Sequence, residues 1–244
     1  MEQEKEPATT IQKVPADISP TEEDPNLQVC IPLQSHSSMM CVGPSNSGKS
    51  YFIAKLLRYR HLMYPSPSPR TVLYCYGVWS EGYTELEKNI QGITFHEGLP
   101  SQALIDQHTD LGHCLIVLDD LMDVALSSPL VERLFVQDAH HKDLSIVMTT
   151  QNLHRKGSCA RTVALNSTYM ALWRNLRDEM QIKMLGSRMG RGLSFYESFK
   201  DATSKSFGYL FCDFSPYTDD ETRFRTNIFP GEATIIYVPK DGTV

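Results

Sequence analysis

No apolar run in this chain approaches the roughly 18 residues needed to cross a bilayer, so no membrane role is expected. The opening residues, MEQEKEP, have neither the basic start nor the apolar stretch of a signal peptide. An intracellular protein, nuclear or cytoplasmic and not secreted, is the expectation. The cysteines at 30, 41, 75, 114, 159 and 212 never form a CxxC pair, and several sit inside apolar runs such as LYCYG and HCLIVL. That pattern fits buried, reduced thiols better than a metal site or disulfides. No internal repeat is visible, and no helix-turn-helix or zinc finger that would read a base sequence appears.

What is present is an ordinary balance for a globular chain of 244 residues, 41% hydrophobic and 21% charged, enough for one large core. The net charge of −6 is unevenly spread. Seven acidic residues against Lys5 and Lys13 fall within residues 1–28, a stretch rich in Glu, Pro and Thr with no hydrophobic period. This acidic tail is expected to be disordered, with residues 29–244 forming one folded domain. Residues 154–191 are the opposite, with eight Lys or Arg against Asp178 and Glu179, and so suit an anionic partner.

Along the folded part, short apolar runs alternate with helical patterns. SMMCV (38–42), TVLYCY (71–76), CLIVLDD (114–120), LSIVMTTQ (144–151) and TYMALW (168–173) read as strands, with ITF a weaker edge candidate. SYFIAKLLRYR, SQALIDQ, PLVERLFVQDA (129–139), RDEMQIKML and the region of SFYESFKDAT read as helices. Three later candidates, GYLFCDF, RFRTNIF and ATIIYV, complete the strands, the last two as an antiparallel edge hairpin around PGE. Near-continuous apolar strands alternating with helices predict an α/β fold, a mainly parallel sheet covered on both faces.

The stretch CVGPSNSGKSYF carries the chemistry. Gly43, Gly48, Lys49 and Ser50 match GxxxxGK[ST], the phosphate-binding loop. Phosphate oxygens must approach backbone N–H groups, so glycines keep side chains out of the way, and the helix that follows points its positive end at the same oxygens. The loop Gly43, Pro44, Ser45, Asn46, Ser47, Gly48, Lys49, Ser50 and Tyr51 is therefore the expected binding segment for ATP. Lys49 would reach the β- and γ-phosphates, and Ser50 would ligate Mg²⁺. A second carboxylate at a neighbouring strand end is needed for the metal. CLIVLDDLM supplies Asp119 for Mg²⁺, directly or through water, and Asp120 to orient or deprotonate the attacking water. Of the polar residues ending the next strand, Thr149, Thr150 and Gln151, the last is the expected γ-phosphate sensor.

GPSNSGKS, LIVLDDLM, TTQNLH, LNSTYMALWRNLRD and RFRTNIFP together resemble the genome-packaging ATPases of the HerA/FtsK superfamily, in the poxvirus-type form carried by Maverick/Polinton elements and adintoviruses. The resemblance spans roughly residues 30–240. It implies a RecA-like core in which the 144–150 strand lies between the other two motif strands. It further implies a pentameric or hexameric ring threading double-stranded DNA into a capsid, with a capsid protein or portal as partner and possible association with the virion. An arginine acting across the subunit interface is implied too. Arg177, at the start of the helix after the fifth strand, is the first candidate and Arg174 the second. The basic loop 152–161, with Arg155, Lys156 and Arg161, is the expected DNA contact, since phosphate neutralisation needs no particular sequence.

Two other readings stand beside this one. A P-loop kinase or small-molecule phosphotransferase would want an arginine-rich lid, whereas here the positive residues follow the sensor strand. A nonmotor ATP-binding scaffold would be indifferent to DNA. A large terminase is not expected, because the residues after Val238 are too few for a nuclease domain.

Overall fold

Strand alternation divides the apolar residues between two covered faces. The structure, a computed structural model, describes residues 29–153 and 159–238. In chain order, β1 (Ser38–Val42) leads through the phosphate loop to α1 (Lys49–Arg58) and the short α2 (Arg60–Met63). β2 (Thr71–Tyr76), α3 (Glu81–Asn89), β3 (Ile93–Glu97), α4 (Gln102–Thr109) and β4 (Cys114–Asp119) follow. Next come α5 (Met122–Ala125), α6 (Pro129–Arg133), α7 (Ala139–His141) and β5 (Leu144–Thr150). The chain then runs through α8 (Ala160–Asn166), β6 (Tyr169–Trp173), α9 (Met180–Arg188) and α10 (Gly192–Ala202). It finishes with β7 (Tyr209–Asp213), β8 (Phe224–Thr226) and β9 (Ile235–Ile236).

The nine strands form one sheet in the order β3-β2-β4-β5-β1-β6-β7-β8-β9. The six from β3 to β6 are parallel, and β7, β8 and β9 pair antiparallel. This is the expected α/β architecture, a mainly parallel sheet with helices on both faces, with β5 inserted between β1, which leads into the glycine-rich loop, and the acidic strand β4. Met39, Cys41, Val72, Tyr74, Leu115, Val117 and Val147 pack on one face with Phe52, Ile53, Leu56 and Leu57 of α1. Met40, Val42, Leu73, Cys75, Ile116, Leu118, Ile146 and Met148 pack on the other face, toward α6, α9 and α10. Cys41, Cys75, Cys114, Cys159 and Cys212 are buried and Cys30 is exposed, none of them in a disulfide, and no described helix is long and apolar enough to cross a membrane.

Several local expectations need correcting. The expected antiparallel edge hairpin is present as β8 and β9, and the antiparallel region extends further, because β7 also runs against β6. The 129–139 helix is not uniform, since a π-helical turn over Leu134–Asp138 follows α6. α3, with three glutamates and a single buried residue, Tyr83, was not anticipated. The helix after β6 begins at Met180, not at Arg177. Asn175 Oδ1 accepts the Arg177 N–H at 3.1 Å and Asn175 O accepts that of Asp178 at 3.2 Å, closing a turn before the helix can start. Arg161 lies in the first turn of α8 and not in a loop. Arg155, Lys156 and the acidic tail 1–28 lie outside the described residues.

Candidate nucleotide site

The loop between β1 and α1 is shaped by backbone that few residues tolerate. Asn46 and Gly48 have positive φ, 61° and 108°, which curls the chain in the manner of an anion-binding nest. Gly43 N–H donates to Thr150 O at 3.0 Å, tying the loop to the end of β5. A Cβ at Gly43 would come within 2.6 Å of Trp173 Cβ and 2.8 Å of Ser47 Oγ. At Gly48 the neighbours would be Phe207 Cβ at 3.1 Å and Trp173 Nε1 at 3.3 Å. Trp173, whose indole N–H donates to Phe207 O at 3.3 Å, is thus a wall on which the loop rests. The motif gives no hint of Trp173 or Phe207, because both come from distant sequence.

Within the loop, Lys49 Nζ donates to the carbonyls of Gly43 and Pro44 at 2.7 and 2.8 Å. Burial pulls its ammonium below the ordinary lysine value, and the nearby Asp119 carboxylate opposes that pull. Ser47 Oγ is buried with no hydrogen-bond partner. Ser50 and Tyr51 are exposed on the first turn of α1, so the Ser50 hydroxyl is open to a ligand.

Asp119 ends β4 on the face that carries α1 and is 7% exposed. Thr149 Oγ1 donates to its Oδ1 at 2.8 Å, and Tyr74 and Tyr83 donate to its Oδ2 at 2.7 and 3.0 Å. Thr149 Oγ1 also accepts the Asp120 N–H at 3.1 Å. That bond holds Asp120 in the left-handed region at φ 55°, a conformation aspartate tolerates better than most residues, with the side chain exposed. Gly77 makes the approach of β2 feasible, since a Cβ there would meet Asp120 O at 2.6 Å.

Gln151 leaves β5 beside the loop, its Nε2 at 3.5 Å from Ser45 Oγ. A cleft of about 760 Å³ is lined by Pro44, Ser45, Gln151, Asn152, Arg174 and Arg177, among others. The structure therefore brings the loop, Gln151 and both candidate arginines to one cleft, with Asp119 and Asp120 at the end of the strand two positions from β1. Arg174 pairs with Glu179 at 3.4 Å, whereas the exposed Arg177 guanidinium has no partner among the described residues.

The residues present fit a nucleoside triphosphate and Mg²⁺. The glycine cradle, the unpartnered Ser47 hydroxyl, the desolvated Lys49 and the remaining acceptor capacity of Asp119 supply what an anionic, metal-bridged ligand requires.

No protein-family model matches the chain, and no curated protein matches it. Among solved structures, the cytoplasmic domain of the Type VII secretion ATPase EccC from Thermomonospora curvata is similar in fold, at 12% identity and a TM-score of 0.47. The alignment covers 85% of this chain and 26% of that one, so the chain spans about a quarter of that protein's length.

Proposed function

We propose that this protein is an ATPase that works as one subunit of a ring and drives double-stranded DNA through it, in the manner of a capsid-filling motor. The observation that carries the ATPase reading is the convergence of Lys49, Asp119, Asp120 and Gln151 at one end of β1, β4 and β5, around a loop whose close approaches at Gly43 and Gly48 leave little room for a Cβ. Bound Mg²⁺ would neutralise charge on the phosphates. The chain's own residues do the rest. Lys49 binds the phosphates, Ser50 and Asp119 would hold the metal, Asp120 takes the proton of the attacking water, and Gln151 senses the γ-phosphate.

Self-association is supported by two unlike exposed rims, one beside the cleft and one beside α3. On the α9 side, Leu176, Met180 and Met184 are exposed at 77%, 63% and 42%, spaced four apart beside Arg177, Lys183 and Arg188. On the α3 side, Val78 and Trp79 are exposed at 73% and 46% beside Glu81, Glu85 and Glu87. An apolar, basic rim and an apolar, acidic rim on different surfaces suit head-to-tail contact between copies, the geometry that closes into rings. Arg177 would then face a neighbour's site. DNA binding rests on the resemblance and the basic segment around Arg155, Lys156 and Arg161.

The test is ATP hydrolysis at increasing protein concentration with and without duplex DNA, alongside native mass spectrometry. The rate per subunit should rise with concentration, rise again on DNA of any sequence, and lose the DNA response steeply with salt. A rate indifferent to both concentration and DNA would sink the motor and leave a monomeric phosphotransferase.

A further inference from the structure

Three hydroxyls converge on one buried carboxylate, and the phosphate-loop motif calls for neither of the two phenols among them. Tyr74 comes from β2 and Tyr83 from α3, and both donate to Asp119 Oδ2, while Thr149 donates to Oδ1. The direction of each bond is forced. The Asp119 carboxylate can only accept. Thr149 Oγ1 already accepts the Asp120 N–H, so its own hydrogen goes to Asp119. An ordinary phenol keeps its proton at neutral pH, so both tyrosines donate.

A carboxylate offers about four lone-pair positions. Two donors on Oδ2 and one on Oδ1 leave a single position, on Oδ1. The phenols cannot easily swing away to release Oδ2. Tyr74 is 1% and Tyr83 7% exposed, their rings lie 5.0 Å apart, and Phe95 packs against both at 5.1 and 5.6 Å.

We propose that Tyr74 and Tyr83 are positioning residues that set the metal selectivity of the nucleotide site, by occupying Asp119 Oδ2 and confining the carboxylate to a one-oxygen contact through Oδ1. Mg²⁺ takes an octahedral shell at about 2.0–2.1 Å and keeps several waters, so a one-oxygen partner suits it. Ca²⁺ takes roughly 6–8 oxygens at about 2.3–2.6 Å and gains from carboxylates that offer both. Filling Oδ2 therefore handicaps Ca²⁺ and leaves Mg²⁺ unaffected. The proposal rests on the nucleotide reading above and adds the side chains that choose the ion.

The experiment uses the full chain and a fluorescent, nonhydrolysable ATP analogue. The half-saturating concentrations of Mg²⁺ and of Ca²⁺ for analogue binding are compared in the parent, Tyr83→Phe, and Tyr74→Phe with Tyr83→Phe. Phenylalanine keeps the ring packing and removes only the hydroxyl. Freeing Oδ2 should shift the Ca²⁺/Mg²⁺ ratio toward Ca²⁺ by about tenfold in the double variant, on the scale of one hydrogen bond to a charged group. Tyr83→Phe should move it less, in the same direction. Binding in chelator should stay at the parent level, which separates ion choice from general damage. An unchanged ratio in a folded double variant overturns the proposal. Should that variant fail to fold, an unchanged ratio in Tyr83→Phe overturns it instead, and a shifted one upholds it. A parent that does not bind the analogue in Mg²⁺ brings down the nucleotide reading itself, a different failure.

Discussion

Replacing Gly43 by alanine adds one methyl group at the point where the phosphate loop rests on β6. The new Cβ would sit 2.6 Å from Trp173 Cβ and 2.8 Å from Ser47 Oγ. The first of these cannot yield by rotating a side chain, because it is bonded directly to the β6 backbone. Its indole is also wedged edge-on against Phe52 at 5.4 Å and tilted against Tyr209 at 5.5 Å. The loop must therefore lift. Overpacking of this kind costs about 2 kcal/mol, which lowers the melting midpoint of a domain this size by roughly 4–8 °C. A lifted loop also loses hydrogen bonds to the phosphates, and the equivalent of one charged hydrogen bond is about tenfold in affinity. Gly82→Ala is the control. It lies in α3, where the nearest atom to a new Cβ is Ser80 Oγ at 3.9 Å, and it should be neutral or stabilising by about 0.5 kcal/mol. Thermal unfolding followed by tryptophan emission and titration with a fluorescent nucleotide measure both effects. A Gly43→Ala protein that melts with the parent and binds nucleotide as tightly would refute this account of the loop.

Asp120→Asn keeps the volume and tolerates the left-handed backbone, so the protein should fold, bind ATP and leave it unhydrolysed; turnover at the parent rate would place water activation elsewhere. Lys49→Ala should abolish hydrolysis and weaken binding while far-UV circular dichroism stays unchanged. Mixed with an Arg177→Ala chain it should regain part of the activity, because a ring of both contains intact composite sites. No recovery on mixing would instead assign Arg177 to the loop of its own chain, which lines the same cleft.

The strands were legible because parallel strands buried on both faces must be continuously apolar, and each run from SMMCV to TYMALW became a strand within a residue or two of its expected ends. The curled loop between β1 and α1 was legible because the residues that shape it, two glycines and a lysine, come from one short stretch. α3 was missed because its polar surface dominates its composition. What anchors it is one aromatic ring, and a single buried residue leaves no period to detect.

The grip on Asp119 was hidden for a different reason. It depends on register, which no single segment encodes. β2 lies against β4 with Tyr76 opposite Asp119, so Tyr74 shares that face of the sheet one pleat earlier, and its phenol is long enough to span the offset. β5 lies on the other side of β4 with Met148 opposite Leu118, which sets Thr149 level with Asp119. Either strand slipping by one residue would turn Tyr74 or Thr149 to the opposite face. Asp119 would then keep its charge and its burial without its donors, an arrangement far costlier than an exposed aspartate. The carboxylate therefore acts twice. It selects the register of three adjacent strands, and that register fixes which of its oxygens remains for the ligand.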